Sequence, residues 1–135
     1  YLLNSAGLRR EAMNSPYAVD RPSARRSLEY ILGRTMPWPG FVLDAIVRNS
    51  QNPAYADFIH DYDPAEELDS VLEQVQTPTT IIWGEQDGLF PISIAREFHA
   101  AIPNAELVLL PNAAHMPQTQ APTKVAQIIL QSFAL

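Results

Sequence analysis

Thr77-Pro78-Thr79-Thr80-Ile81-Ile82-Trp83-Gly84-Glu85-Gln86-Asp87-Gly88 decides the fold. From Thr79 to Trp83 the residues are β-branched or aromatic without polar alternation, the pattern of a strand buried on both faces. Gly84 closes it. Downstream, Ile94, Ala95, Phe98 and Ile102 fall on one helical stripe. It must stop before Pro103, because a proline pushes the residue ahead of it out of the α region. Glu106-Leu107-Val108-Leu109-Leu110 reads as a second buried strand closed by Pro111-Asn112, and Pro122 opens a last helix with Val125, Ile128, Ile129 and Phe133 facing inward. Strand, helix, strand, helix at this spacing predicts an α/β fold with a parallel sheet and right-handed crossover.

Upstream of Thr77 the pattern is different. Tyr1 to Leu3 reads as the tail of a strand entering a turn at Asn4-Ser5-Ala6-Gly7. Short amphipathic helices broken by prolines follow. Leu28, Ile31 and Leu32 mark the first, with Gly33 as its stop, and Phe41, Val42, Ala45 and Ile46 mark the second, after Pro37 and Pro39. Tyr55, Phe58 and Ile59 suggest a third. Asp63-Pro64-Ala65-Glu66 supplies an N-cap, a proline and a first-turn acid for a fourth, running through Leu68, Val71, Leu72 and Val75. The stretches Pro37 to Gly40 and Gln76 to Pro78 read as linkers, and no internal repeat appears.

Composition excludes several functions. The 135 residues carry 9 Lys plus Arg against 15 Asp plus Glu, a net charge of −6, and the only basic doublets are Arg9-Arg10 and Arg25-Arg26. A nucleic-acid partner needs a basic face to displace counterions, so none is expected. With Cys 0, there is no disulfide frame, thiolate nucleophile or zinc-thiolate set. No cofactor or metal is expected. No apolar run approaches the ~18–20 residues of a membrane span. The compartment stays open, with a soluble cytoplasmic chain as the default expectation. The start at Tyr1, without Met and inside an apolar segment, has no signal-peptide layout and suggests a chain whose front is missing.

In open parallel sheets, ligands sit beyond the carboxyl ends of the strands. The ionisable residues expected there are Asp87, after the first buried strand, and His115, after the second. On adjacent strands they emerge at one edge, within reach of each other. A carboxylate that accepts a proton from one imidazole nitrogen fixes the tautomer and leaves the other nitrogen as a base. Blander readings stand beside this one: an Asp in a Gly-x-x-Asp-Gly turn can serve only its own backbone, and a His at a strand end can be structural. His60, His99 and Trp83 read as structural or rim residues. Trp38 could face a ligand, while Asn4 and Ser5 read as turn residues. Ser5 lacks the flanking glycines of a strained nucleophile turn.

The run from Thr77 to Asp87, then Ile102-Pro103-Asn104-Ala105-Glu106-Leu107, then Pro111-Asn112-Ala113-Ala114-His115-Met116-Pro117 with a helix from Pro122, resembles the C-terminal portion of an α/β-hydrolase. Leu2-Leu3-Asn4-Ser5-Ala6-Gly7-Leu8 resembles the strand preceding the cap in that family, and Met36-Pro37-Trp38-Pro39-Gly40-Phe41-Val42-Leu43 is similar to caps of monoacylglycerol-lipase-like esterases. The resemblance implies a core strand end at 1–8, a helical cap at 9–76 and the C-terminal part of the core at 77–135. It makes Asp87 the acid and His115 the base of a triad whose first member lies upstream, since no Gly-x-Ser-x-Gly occurs here. Two positions depart from the family. Ala114 stands where Gly is usual and Gln120 where an acid is common.

The implied function is hydrolysis of a small, apolar carboxylic ester through an acyl-enzyme, with the N-terminal part of the same protein supplying the serine. Leu89 and Met116 are candidate pocket walls, and Trp38 and Phe41 a greasy cap surface for an acyl chain. Lacking the nucleophile, these residues alone are expected to be inactive. Alternatives within the fold are an epoxide hydrolase or dehalogenase with an Asp nucleophile, a carbon–carbon bond hydrolase, or a non-catalytic ligand-binding member. A further reading treats the chain as an assembly piece, because exposed strand edges pair readily with other chains.

Overall fold

The computed structural model describes residues 1–5, 8, 14–54, 68–131 and 133. Strands β1 (Leu2–Leu3), β2 (Thr79–Gly84) and β3 (Ala105–Leu110) form a parallel sheet in that order. Leu2 is in register with Ile81, and Thr79 with Ala105. Side chains of a strand point alternately to opposite faces, so β2 feeds two cores at once. Ile81 and Trp83 pack on one face with Ile94, Ala95, Phe98 and Ile102 from helix α3 (Ile92–Ala101) and its end. Ile82 packs on the other with Leu110, Ala113 and Val125 of helix α5 (Pro122–Gln131). This is why the strand shows no polar alternation. Each fully buried side chain of this size contributes about 1.5–3 kcal/mol.

Before β2, helices α1 (Arg21–Leu32) and α2 (Gly40–Ser50) pack through Ala18, Ala24 and Leu43, with Leu28, Trp38, Ile46 and Val47 around them. Helix α1 has a reciprocal capping box: Asp20 Oδ1 accepts from the Ser23 N–H at 2.8 Å, and Ser23 Oγ accepts from the Asp20 N–H at 3.0 Å. Arg21 grips Asp44 of α2 through Nε and Nη2, both at 2.7 Å. The Ser23 hydrogen bonds hold the Asp20 carboxyl below its usual 3.8, and the Arg21 guanidinium does the same for Asp44. A depressed folded value means the stabilisation is present above the unfolded value and is lost as pH falls through the folded one. Asp20→Ala should therefore lower the thermal midpoint at neutral pH. That difference from wild type should close below pH 3.8, as circular-dichroism melts would record.

Several expectations are corrected. In α2 the buried stripe is Leu43, Ile46 and Val47, whereas Phe41 is 74% exposed and Ala45 faces solvent. Relative to the Phe41-Val42-Ala45-Ile46 stripe the helix is rotated so that Leu43 inserts against Ala18 and Ala24, and Ile46 is the member of that stripe kept against this cluster. The helix expected through Val75 is replaced, from Leu68 on, by short 3-10 turns at Leu68–Ser70 and Leu72–Gln74. Their i→i+3 bonds, such as Val75 N–H to Leu72 O at 3.1 Å, bury Leu72 in the core with Val75 half-buried against it, while Leu68 and Val71 stay exposed. Strand β3 is mostly half-buried, since among the described residues it has a neighbour only on the β2 side. Phe133 lies past the end of α5 and is 77% exposed. A short helix, α4 (Pro117–Gln120), adds to the expected elements. The helix read at Tyr55, Phe58 and Ile59, the cap at Asp63 to Glu66, His60 and the Arg9-Arg10 doublet lie outside the described residues. Among the described residues no helix is long and apolar enough to cross a membrane.

Candidate active site

The loops leaving β2 and β3 are stitched together by backbone hydrogen bonds. Glu85 N–H donates to Leu110 O at 3.0 Å and Gln86 N–H to Ala113 O at 3.0 Å. Such close approach requires glycine at the end of β2: a Cβ on Gly84 would stand 2.2 Å from Ala114 O. The outcome is that Asp87 and His115 meet at the carboxyl edge of the sheet, with Asp87 Oδ2 3.0 Å from His115 Nδ1.

The Asp87 side chain is wholly buried, and both of its oxygens are engaged. Oδ1 accepts from the Leu89 N–H at 2.8 Å and the Phe90 N–H at 3.0 Å. Oδ2 accepts from His115 Nδ1–H and from Asn4 Nδ2. Turn-holding and imidazole-orienting are thus the work of two oxygens of one carboxylate, and the two readings of Asp87 do not compete. His115 keeps 24% of its side chain exposed. Phe90 packs edge-on to the imidazole with ring centroids 5.0 Å apart. Among the described residues Nε2 has no hydrogen-bond partner, so a ring carrying its proton on Nδ1 presents a free lone pair there.

The last turn of α1 holds both loops from above. Its carbonyls accept from Gly88 N–H (Tyr30 O, 3.0 Å), His115 N–H (Ile31 O, 3.1 Å) and Gln120 Nε2 (Leu32 O, 3.2 Å). These are the carbonyls that a helix end leaves unsatisfied. Gln120 also accepts the Ala114 N–H through Oε1 at 2.7 Å, so its amide is used as acceptor and donor together. An ionised acid at that position could make only the first bond. Gly33 ends α1 at φ 67°, and a Cβ there would lie 2.9 Å from that of Ala114. The alanine before His115 is therefore accommodated against a glycine.

Of the other candidates, Leu89 is buried beside Asp87 and Met116 is half-buried at the start of α4. Trp38 belongs instead to the α1–α2 cluster, its indole Nε1 buried without a hydrogen-bond partner among the described residues. It lines a cavity of about 550 Å³ with Arg21, Arg25, Arg26 and Leu43, and neither Asp87 nor His115 borders that space. Phe41 points to solvent. The structure thus brings Asp87, His115 and Leu89 together, with Met116 next in the chain, and leaves Trp38 and Phe41 apart from them. His99 is exposed on α3, and Trp83 is fully buried with its Nε1–H donating to Phe90 O at 3.0 Å. Asn4 is the neighbour that sequence reading missed. It occupies the end of β1, at the same sheet edge as Asp87 and His115, but its amide does not ionise and so carries no acid–base signal in the sequence. Among the described residues no group of His, Cys, Asp or Glu is placed to hold a metal.

Comparison with known proteins agrees with this architecture. A family model described as alpha/beta hydrolase fold matches residues 3–122. The human monoacylglycerol lipase ABHD6 is 33% identical over 63 residues, 47% of this chain and 19% of that protein. Haloalkane dehalogenase 2 of Mycobacterium tuberculosis is 42% identical over 57 residues, 42% of this chain and 20% of that protein. Among solved structures, a bacterial membrane phospholipase A superposes with a TM-score of 0.70 at 20% identity, covering 98% of this chain and 47% of that one. A meta-cleavage product hydrolase from Pseudomonas fluorescens gives 0.71 at 16% identity, covering 98% and 54%. The chain therefore spans about half the length of these structures, and its matches span about a fifth of the curated relatives. With a parallel sheet between helical layers, and a family match over most of its length, the chain belongs to the alpha/beta hydrolase fold family.

Proposed function

We propose that the full-length protein hydrolyses carboxylic esters of small apolar substrates through an acyl-enzyme, with His115 as general base and Asp87 as its orienting acid. The observation that carries this reading is the Asp87 Oδ2 to His115 Nδ1 contact of 3.0 Å with Nε2 left open. A serine supplied upstream of Tyr1 attacks the ester carbonyl while Nε2 takes its proton. The same proton is returned to the leaving alcohol, and water then repeats the cycle on the acyl-serine. Asp87 holds the imidazole and stabilises its cation. Leu89 and Met116 flank the reacting groups as pocket wall. Helices α1 and α2 serve as the cap over the core, α1 touching both catalytic loops through its last carbonyls. Trp38 and Phe41 remain proposed as a greasy cap surface for an acyl chain, although both stand apart from Asp87 and His115. The similarity to a monoacylglycerol lipase supports the ester chemistry.

The similarity to a haloalkane dehalogenase favours a second reading, in which the upstream nucleophile is an Asp and the intermediate an alkyl ester. A fluorophosphonate probe separates the two. Full-length protein should take up one probe on a serine, and the 135 residues alone, which hold no Gly-x-Ser-x-Gly, should take up none. Absence of labelling together with halide release from a haloalkane would replace the ester reading with the second.

A further inference from the structure

Asn4 follows β1 at φ 41°, in the left-handed region where asparagine is one of the few tolerated side chains. It is buried, and its backbone N–H continues the ladder to Ile82 O at 3.2 Å. Its side chain reaches two further elements. Oδ1 accepts the Gly84 N–H at 3.2 Å, at the end of β2, and Nδ2 donates to Asp87 Oδ2. One amide thus ties the ends of two strands to the carboxylate that faces His115.

We propose that Asn4 is a positioning residue, which fixes the Asp87 carboxylate so that Oδ2 presents its remaining lone pair to His115 Nδ1. The terminal torsion of an aspartate is broad and roughly two-fold, so a carboxylate held at one oxygen alone can still rock. Here Oδ1 is pinned by the Leu89 and Phe90 N–H groups, and the Asn4 donor pins Oδ2. An amide suits the place because it is acceptor to Gly84 and donor to Asp87 at once; a carboxylate of the same shape offers acceptors only. This inference rests on the acyl-transfer reading for its kinetic consequence, not for its geometry.

Two variants of the full-length protein separate positioning from packing. Asn4→Asp keeps the size, the acceptor for Gly84 and the tolerance of positive φ, but sets an oxygen against Asp87 Oδ2. Asn4→Gly keeps the backbone conformation and removes the donor to Asp87, together with the acceptor for Gly84, without adding charge. Both should still melt cooperatively. kcat on a p-nitrophenyl ester should fall about 10- to 100-fold, the worth of a hydrogen bond to a charged group, while KM stays within about threefold. The downfield proton resonance of His115 Nδ1–H should shift or broaden in both. Unchanged kcat and an unmoved resonance in folded variants would overturn the proposal, as would lower melting with the folded fraction fully active. If wild-type protein turns over no ester yet the resonance moves in the variants, the acyl-transfer reading fails and the positioning role stands. If ester turnover is present but indifferent to both variants, the reverse holds.

Discussion

Replacing His115 with Ala in the full-length protein is expected to lower kcat on a carboxylic ester by about 10⁴- to 10⁶-fold, the loss seen when a relay member is removed, and to leave KM nearly unchanged. The side chain has one task in the ground state and another in the transition state. In the ground state its Nδ1–H donates to Asp87 and its ring meets the edge of Phe90. Neither contact binds substrate. In the proposed transition state Nε2 carries the nucleophile's proton, a task that Ala cannot perform. Stability should change little, because Asp87 Oδ2 still has the Asn4 donor and the lost side chain was partly exposed. Steady-state kinetics beside a thermal melt would check both statements. Retention of more than a third of wild-type kcat would remove His115 from the mechanism.

Gly84→Ala is the substitution with the largest expected effect on stability. The added Cβ meets Ala114 O at 2.2 Å, Ala113 O at 2.5 Å and the Ala113 carbonyl carbon at 2.6 Å, all of them backbone atoms. A flexible side chain could swing aside, but this backbone cannot, because Ala113 O also accepts the Gln86 N–H and Ala114 N–H is held by Gln120. Relief therefore requires the His115 loop to move away from the Asp87 loop, breaking the stitching that brings the pair together. Overpacking of this kind costs about 1–3 kcal/mol and sometimes more, and the backbone contact places Gly84 at or above the upper end. Thermal denaturation should show a clear fall in midpoint, with ester turnover lost in the remaining folded fraction. A midpoint within a degree of wild type would mean that the two loops are less tightly joined than this geometry requires.

Much of this was legible in the sequence where one physical signal dominated. The Thr79–Trp83 run could only be a strand covered on both faces, and the Ile94-Ala95-Phe98-Ile102 stripe had a proline to end it. That Asp87 and His115 meet at one edge can be read from sequence because both follow buried strands, whose carboxyl ends lie together in a parallel sheet. The sequence was less informative where tertiary packing chose between equivalent faces. Phe41 and Leu43 are similarly apolar, and only contact with Ala18 and Ala24 buries the second and exposes the first. Edge position cannot be read from Leu107-Val108-Leu109-Leu110, which has the composition of a central strand. Asn4 reads as a turn residue because asparagine favours turns. Its second role depends on Gly84 and Asp87, some eighty residues away, and no local pattern carries that information.

The proposed activation of a serine by the Asp87–His115 pair is tested most directly by pre-steady-state release of p-nitrophenol. Full-length wild-type protein mixed with a p-nitrophenyl ester should give a burst with an amplitude near one equivalent of enzyme, followed by slower turnover, and His115→Ala should give no burst. A burst of undiminished size and rate in the His115→Ala protein would contradict the account.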